Sequence, residues 1–213
     1  TMGNRAVIMT KDSFENGGIG LYLHWNGGRD SVEPFLKYCK IKGYRPPETD
    51  GYGWARLAQV VGNFFGGSDS VGIDYYGKDS DFGYLDNGVY IIENWKIIDR
   101  KYFDWKEQNE YDPQEFLKGI DESMPLKEQL GDMLNAVEVP TSSLQIGDEV
   151  FIKDFYDVYD RFKVVGFGDD KYVNGRNVKD IPYVNKYDHN GENDYTWNIN
   201  NYILTETVLV PGR

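Results

Sequence analysis

The sequence predicts an α+β fold, and three observations carry that prediction. Through about residue 103 the elements run β-β-α-α-β-β-β with a hairpin at each end, the order of an antiparallel sheet carrying two helices on one face. Residues 104–140 then change to an acidic helical pattern. From residue 141 onward, short apolar runs separated by Asn, Asp and Gly turns read as all-β. The expected organisation is an α+β domain over 1–103, an acidic helical connector over 104–140, and a small β-barrel-like (SH3-like) domain over 141–213.

Each element has a local reason. Ala6–Met9 is a short β run, and Ile19–Trp25 alternates, setting Ile19, Leu21, Leu23 and Trp25 on one face and Tyr22 and His24 on the other. The polar connection Lys11–Gly18 closes the two into a hairpin. Asn26-Gly27-Gly28-Arg29 breaks the strand, and Asp30, with Glu33 three residues on, predicts an N-cap and a helix. Val32, Phe35, Leu36 and Cys39 form its apolar stripe, and Gly43 suits the stop. After Pro46-Pro47, residues Gly53–Phe65 place Trp54, Leu57, Val60, Val61, Phe64 and Phe65 at helical spacing, ended by Gly66-Gly67. Strands are predicted at Ser70–Asp74, Gly83–Leu85, Val89–Ile92 and Trp95–Arg100, with turns at Asp86-Asn87-Gly88 and Glu93-Asn94. In the connector, Asp112 before Pro113 is an N-cap with proline at the first helical position. A second helical stretch is read after Pro125 from Leu126, Leu130, Met133, Leu134 and Val137. Beyond it, Leu144–Ile152, Phe162–Phe167, Ile181–Val184, Tyr195–Asn198 and Tyr202–Val210 supply the C-terminal strands.

Composition narrows the function classes. The 213 residues hold 35 acidic and 23 basic side chains, a formal charge of −12. Such a chain repels phosphate backbones, so direct nucleic-acid binding is not expected. Its apolar runs of a few residues fall far short of the roughly 20 that a membrane span needs, so no membrane is expected either. Cys39 is the single cysteine; it cannot form an internal disulfide, and it points to a reducing cytoplasm. The charge is uneven: residues 106–140 alone carry three basic and nine acidic side chains.

Candidate chemistry is sparse. His24-Trp25-Asn26-Gly27-Gly28-Arg29-Asp30 lies where a strand passes through a glycine loop into a helix start. The functional reading makes His24 a general base oriented by Asn26 or Asp30. The structural reading leaves Asp30 as the cap and the glycines as the turn, and is favoured because no nucleophile accompanies the histidine. Cys39 sits on an apolar stripe, where thiols are inert. His24 and His189, the only imidazoles, lie in different segments, so neither a metal site nor a cofactor is expected. The acid-rich 188–194 reads as a solvated loop, and Lys37, Lys40, Lys42 and Arg45 as a solvated helix face. Asp154, Phe155, Tyr156, Asp157, Tyr159 and Asp160 interleave acids with aromatics. That pattern suits a basic protein partner as well as it suits an ordinary strand.

Three stretches taken together, Gly20–Asp30, Tyr52–Gly67 and Asp86–Ile92, resemble small uncharacterised proteins carried by phages and conjugative elements of Gram-positive gut bacteria. The resemblance covers roughly residues 4–103 and carries no catalytic residues. It implies a setting of mobile-element cargo, in which an acidic counter-defence inhibitor of a nucleic-acid-handling host nuclease, of the anti-CRISPR kind, would fit. The expected function is therefore a non-enzymatic accessory protein that binds a basic partner. The alternative is a small hydrolase or nuclease-like enzyme working at the His24–Asp30 loop.

Overall fold

The computed structural model describes residues 4–103, 110–153, 159–167, 172–173, 176–177, 182–187, 193–197 and 206–212. The chain divides into two compact units, Thr1–Gln129 and Leu130–Arg213. The first unit combines strands with α-helices, the described part of the second combines strands with short 3-10 turns, and the fold class is α+β.

In the first unit β1 (Ala6–Thr10) leads through a short helix α1 (Lys11–Asn16) into β2 (Gly18–Leu23). The connection read as plain polar chain thus contains a turn of helix, nucleated because the Thr10 hydroxyl accepts from the Ser13 N–H at 3.2 Å. Next come α2 (Arg29–Ile41), α3 (Gly51–Phe64), β3 (Val71–Tyr76), β4 (Val89–Glu93), β5 (Lys96–Lys101) and α4 (Pro113–Ser123). The sheet order is β3-β2-β1-β4-β5. Every pair is antiparallel except β1 with β4, which run parallel from Val7↔Val89 to Thr10↔Ile92. The sheet is therefore mixed, which corrects the antiparallel expectation. β1 is buried along its whole length, so the apolar β4 is the strand that can cover its second edge.

The helices end where the glycines predict. After α2, Tyr44 N–H donates to the Cys39 carbonyl and Gly43 N–H to that of Lys40, with Gly43 at φ +77°. After α3, Gly67 and Gly66 repeat the arrangement on Gly62 and Asn63. Asp50 caps α3 and Asp112 caps α4. Asp30 does not cap α2. Gly28 holds that position without a side-chain bond, and Asp30 lies inside the first turn. The cause is a chain that turns early: Gly27 N–H donates to the Asn4 carbonyl at 2.8 Å, and a Cβ at Gly27 would lie 2.8 Å from the Ala6 Cβ.

Helices α2, α3 and α4 close on one another through Phe35, Phe64 and Phe116, whose ring centroids lie 4.9–5.5 Å apart. Tyr38 of α2 donates to the buried Asp121 of α4 at 2.6 Å. Pro113–Ser123 accordingly packs within the first unit. Two other predicted elements differ. Gly83–Leu85 is a turn rather than a strand, because Phe82 and Leu85 are drawn down as buried plugs beside Val7, Met9, Tyr76 and Val89. Past Pro125 the chain makes two 3-10 turns, Leu126–Glu128 and Gly131–Asn135, in place of one α-helix. Pro125 and the positive φ of Gly131 interrupt the α geometry.

The second unit contains β6 (Val137–Pro140), β7 (Glu149–Lys153), β8 (Tyr159–Phe167), β9 (Tyr172–Val173), β10 (Arg176–Asn177), β11 (Pro182–Tyr187), β12 (Asn193–Trp197) and β13 (Thr207–Val210). Its main sheet has the order β12-β11-β8-β7-β13-β6, and no pairing among the described residues joins its two ends. Leu144, Val150, Ile152, Phe162, Val164 and Val208 form the core. Among the described residues, no helix is long and apolar enough to cross a membrane.

Candidate functional site

The strand-to-helix loop is built tightly. β2 ends at Leu23, and His24 N–H continues the ladder by donating to the Ser70 carbonyl at 2.8 Å. The His24 ring meets neither Asn26 nor Asp30. Its Nδ1 lies 2.9 Å from the Tyr22 hydroxyl, and Trp25 packs edge-on to it with centroids 5.0 Å apart. Asn26, at φ +54°, turns its amide to the Ser31 hydroxyl at 3.3 Å. The Gly27 carbonyl accepts from the buried Tyr90 hydroxyl at 2.9 Å. The loop's polar atoms thus bind Asn4 ahead of β1, Ser31 of α2 and Tyr90 of β4, and the histidine's neighbour is a phenol. Nothing here assembles the nucleophile and oriented base that acyl or phosphoryl transfer would need.

The other candidates separate in the same way. Cys39 is fully buried, which pushes its thiol well above the ordinary range. Lys42 is buried and donates to the Glu128 carbonyl at 2.5 Å, and Arg45 pairs with Asp50 at 2.7 Å while Lys37 and Lys40 stay exposed. The lysine cluster is therefore not one surface. Asp154, Phe155, Tyr156 and Asp157 lie outside the described residues. Tyr159 opens β8, and Asp160 follows it opposite Ile152. Among the described residues, no group of His, Cys, Asp or Glu is arranged to hold a metal ion.

No family model matches this chain, and no curated protein or solved structure matches it either.

Two features escaped the sequence reading. The first is a forked ion pair: the Asp86 carboxylate accepts from Arg5 Nε at 2.8 Å and from the Arg5 backbone N–H at 3.0 Å. Arg5 holds the Asp86 carboxyl below its usual range. A depressed carboxyl stabilises the fold above the unfolded pKa, near 3.9 for aspartate, and that contribution disappears as pH falls through the folded value. Asp86→Asn should therefore lower the urea midpoint at neutral pH and converge with the native chain in acid. A gap that stays constant with pH would refute this account. With the partners eighty-one positions apart in the chain, no spacing rule links them.

The second feature is the side of β3 that no strand among the described residues pairs with. Ile73 and Tyr75 are 56% and 68% exposed on the last strand of the sheet. Around them, residues 68–86 hold Asp69, Asp74, Asp79, Asp81 and Asp86 against Lys78 alone. A count of charge over this span would have found the acidity. Only the strand order shows that it flanks an open edge.

Proposed function

We propose that this chain is a non-enzymatic accessory protein of a mobile element, acting in the cytoplasm as a counter-defence inhibitor that binds a basic protein partner. One observation carries the reading: exposed aromatics stand in an acidic stretch, with Tyr75 and Tyr84 among Asp69, Asp74, Asp79 and Asp81 against Lys78 alone, while the fifth aspartate, Asp86, pairs with Arg5. Carboxylates steer a basic partner and rings provide the area that holds it. The charge supports the same view, since each unit carries a net −6. The acid–aromatic run from Asp154 to Asp160 belongs to the proposal as a second contact, on a C-terminal part read as SH3-like. A nuclease with a nucleic-acid groove is the partner class that matches this charge.

The test is capture from a host lysate by the full chain across a salt series, followed by identification and kinetics. The recovered protein should be basic, and its association should slow as salt rises. Reversing Asp154, Asp157 and Asp160 to lysine should lower the on-rate by roughly ten- to a thousandfold at low salt. Truncating Tyr156 and Tyr159 should instead shorten the complex lifetime. An acidic partner, or binding indifferent to salt, would sink the proposal.

A further inference from the structure

We infer that the open edge of β3 is a docking strand, and that its occupant is an extended segment of a partner protein in which basic and apolar residues alternate. The inference rests on the proposed basic partner for its charge.

β3 pairs with β2 in the register Gly18↔Tyr76 to Leu23↔Val71. The bond from His24 N–H to the Ser70 carbonyl sets the phase of this ladder. In an antiparallel pair, hydrogen-bonded and non-bonded positions alternate. Residues 70, 72, 74 and 76 therefore turn their backbone polar groups towards β2, and Val71, Ile73 and Tyr75 turn theirs outward. The Tyr75 N–H is held by the Asp74 carboxylate at 2.8 Å. Among the described residues no partner takes the outward groups of Val71 and Ile73 or the Tyr75 carbonyl, which remain for a further strand.

The side chains at this edge specify what that strand should carry. Ile73 and Tyr75 stand on one face, beside Ile19 of β2, itself 42% exposed. On the opposite face Asp74 is exposed, and Gly72 leaves room, since a Cβ there would approach only Tyr22, at 3.9 Å. An added strand would lay apolar side chains against Ile73 and Tyr75 and basic ones against Asp74. Exposed Asp69, Asp79 and Asp81 extend the same sign beyond both ends of the strand.

The opposite edge of the sheet argues that this openness is selective. β5 carries Lys96, Arg100 and Lys101, the charges with which natural edges discourage pairing. β3 has no basic residue and presents isoleucine and tyrosine instead. A second copy of this chain is a poor occupant, because strand-to-strand self-pairing would bring the same aspartates together along one seam.

The test is selection of a random peptide library on the immobilised full chain, repeated on Ile73→Pro and Ile73→Lys. Proline at 73 removes an outward N–H and leaves the bonds to β2 in place. Lysine blocks the edge by charge should the proline variant fail to fold. Expected are proline-free peptides alternating basic and apolar residues, bound roughly tenfold or more weakly by either folded variant. Asp74→Lys should remove the preference for basic residues. Basic peptides that bind the edge variants as well as the native chain would overturn the docking strand and leave the basic-partner proposal standing. Acidic peptides would overturn both. Absence of enrichment, or a stable dimer in sedimentation that Ile73→Lys dissolves, would overturn the docking strand alone.

Discussion

Phe35→Ala should destabilise the first unit by roughly 3–5 kcal/mol, the range for emptying a buried aromatic site. Phe35 has no exposed surface and lies edge-on to both Phe64 and Phe116, so its ring holds three helices together. Removing it opens a cavity bordered by α2, α3 and α4. Urea unfolding followed by tryptophan fluorescence would measure the loss. The tyrosine–carboxylate bond between Tyr38 and Asp121 would still tie α2 to α4. A loss below about 1 kcal/mol would show that the cluster does not support the unit.

Gly88→Ala should destabilise by about 2–4 kcal/mol, combining a left-handed backbone with an overpacked contact. Gly88 has φ +69°, and a Cβ there would meet backbone on one side, 2.6 Å from the Tyr102 carbonyl oxygen and closer still to that of Lys101. Neither oxygen belongs to a side chain that could rotate away. The Gly88 carbonyl also accepts from Val7 N–H at 3.1 Å, the entry to the parallel β1–β4 pairing. The loss should therefore appear as weakened amide protection in both β1 and β4. An alanine variant with native stability and native protection would show that the backbone relaxes without penalty.

The sequence was most legible where one residue acts on its immediate neighbours. Asp50 and Asp112 carry the oxygen that caps a helix, and Gly43 and Gly66 accept the positive φ that ends one. The stripe of Val32, Phe35, Leu36 and Cys39 likewise reported burial, because periodicity records which face meets the core, whereas of the alternating Ile19, Leu21, Leu23 and Trp25 the structure buries Leu21 and Leu23 and leaves Ile19 and Trp25 exposed. Reading was poorer where two local signals competed. Asp30 had every mark of a cap, yet Gly27, pressed against Asn4 and Ala6, starts the helix two residues earlier than that cap predicts. The sequence places Trp95 first in a strand, whereas the structure puts it with Asn94 at positive φ in the β4–β5 turn. Its indole N–H donates to the Tyr44 carbonyl at 2.7 Å, and burial of the ring holds an unfavourable backbone.

The candidate site divides in the same way. Which residues could carry chemistry was plain from the sequence, since His24, Cys39 and the acid–aromatic runs are few. Whether they meet was not. The partner of His24 is Tyr22, two residues back on the same strand face, whereas Asn26 turns its amide to Ser31 and Asp30 lies in the first turn of α2.

By itself, then, the sequence determined the α+β class, the places where helices stop, the acidic charge and the burial of Cys39, because each follows from local propensity, periodicity or composition. Tertiary structure alone decided that β4 lies parallel to β1, that Phe82 and Leu85 seal one face of the sheet, and that β3 is left as an open edge. These depend on which elements find each other across tens of residues. Strand pairing is chosen by the burial of whole surfaces, and a hydrophobic pattern states that a face must be covered without stating by what.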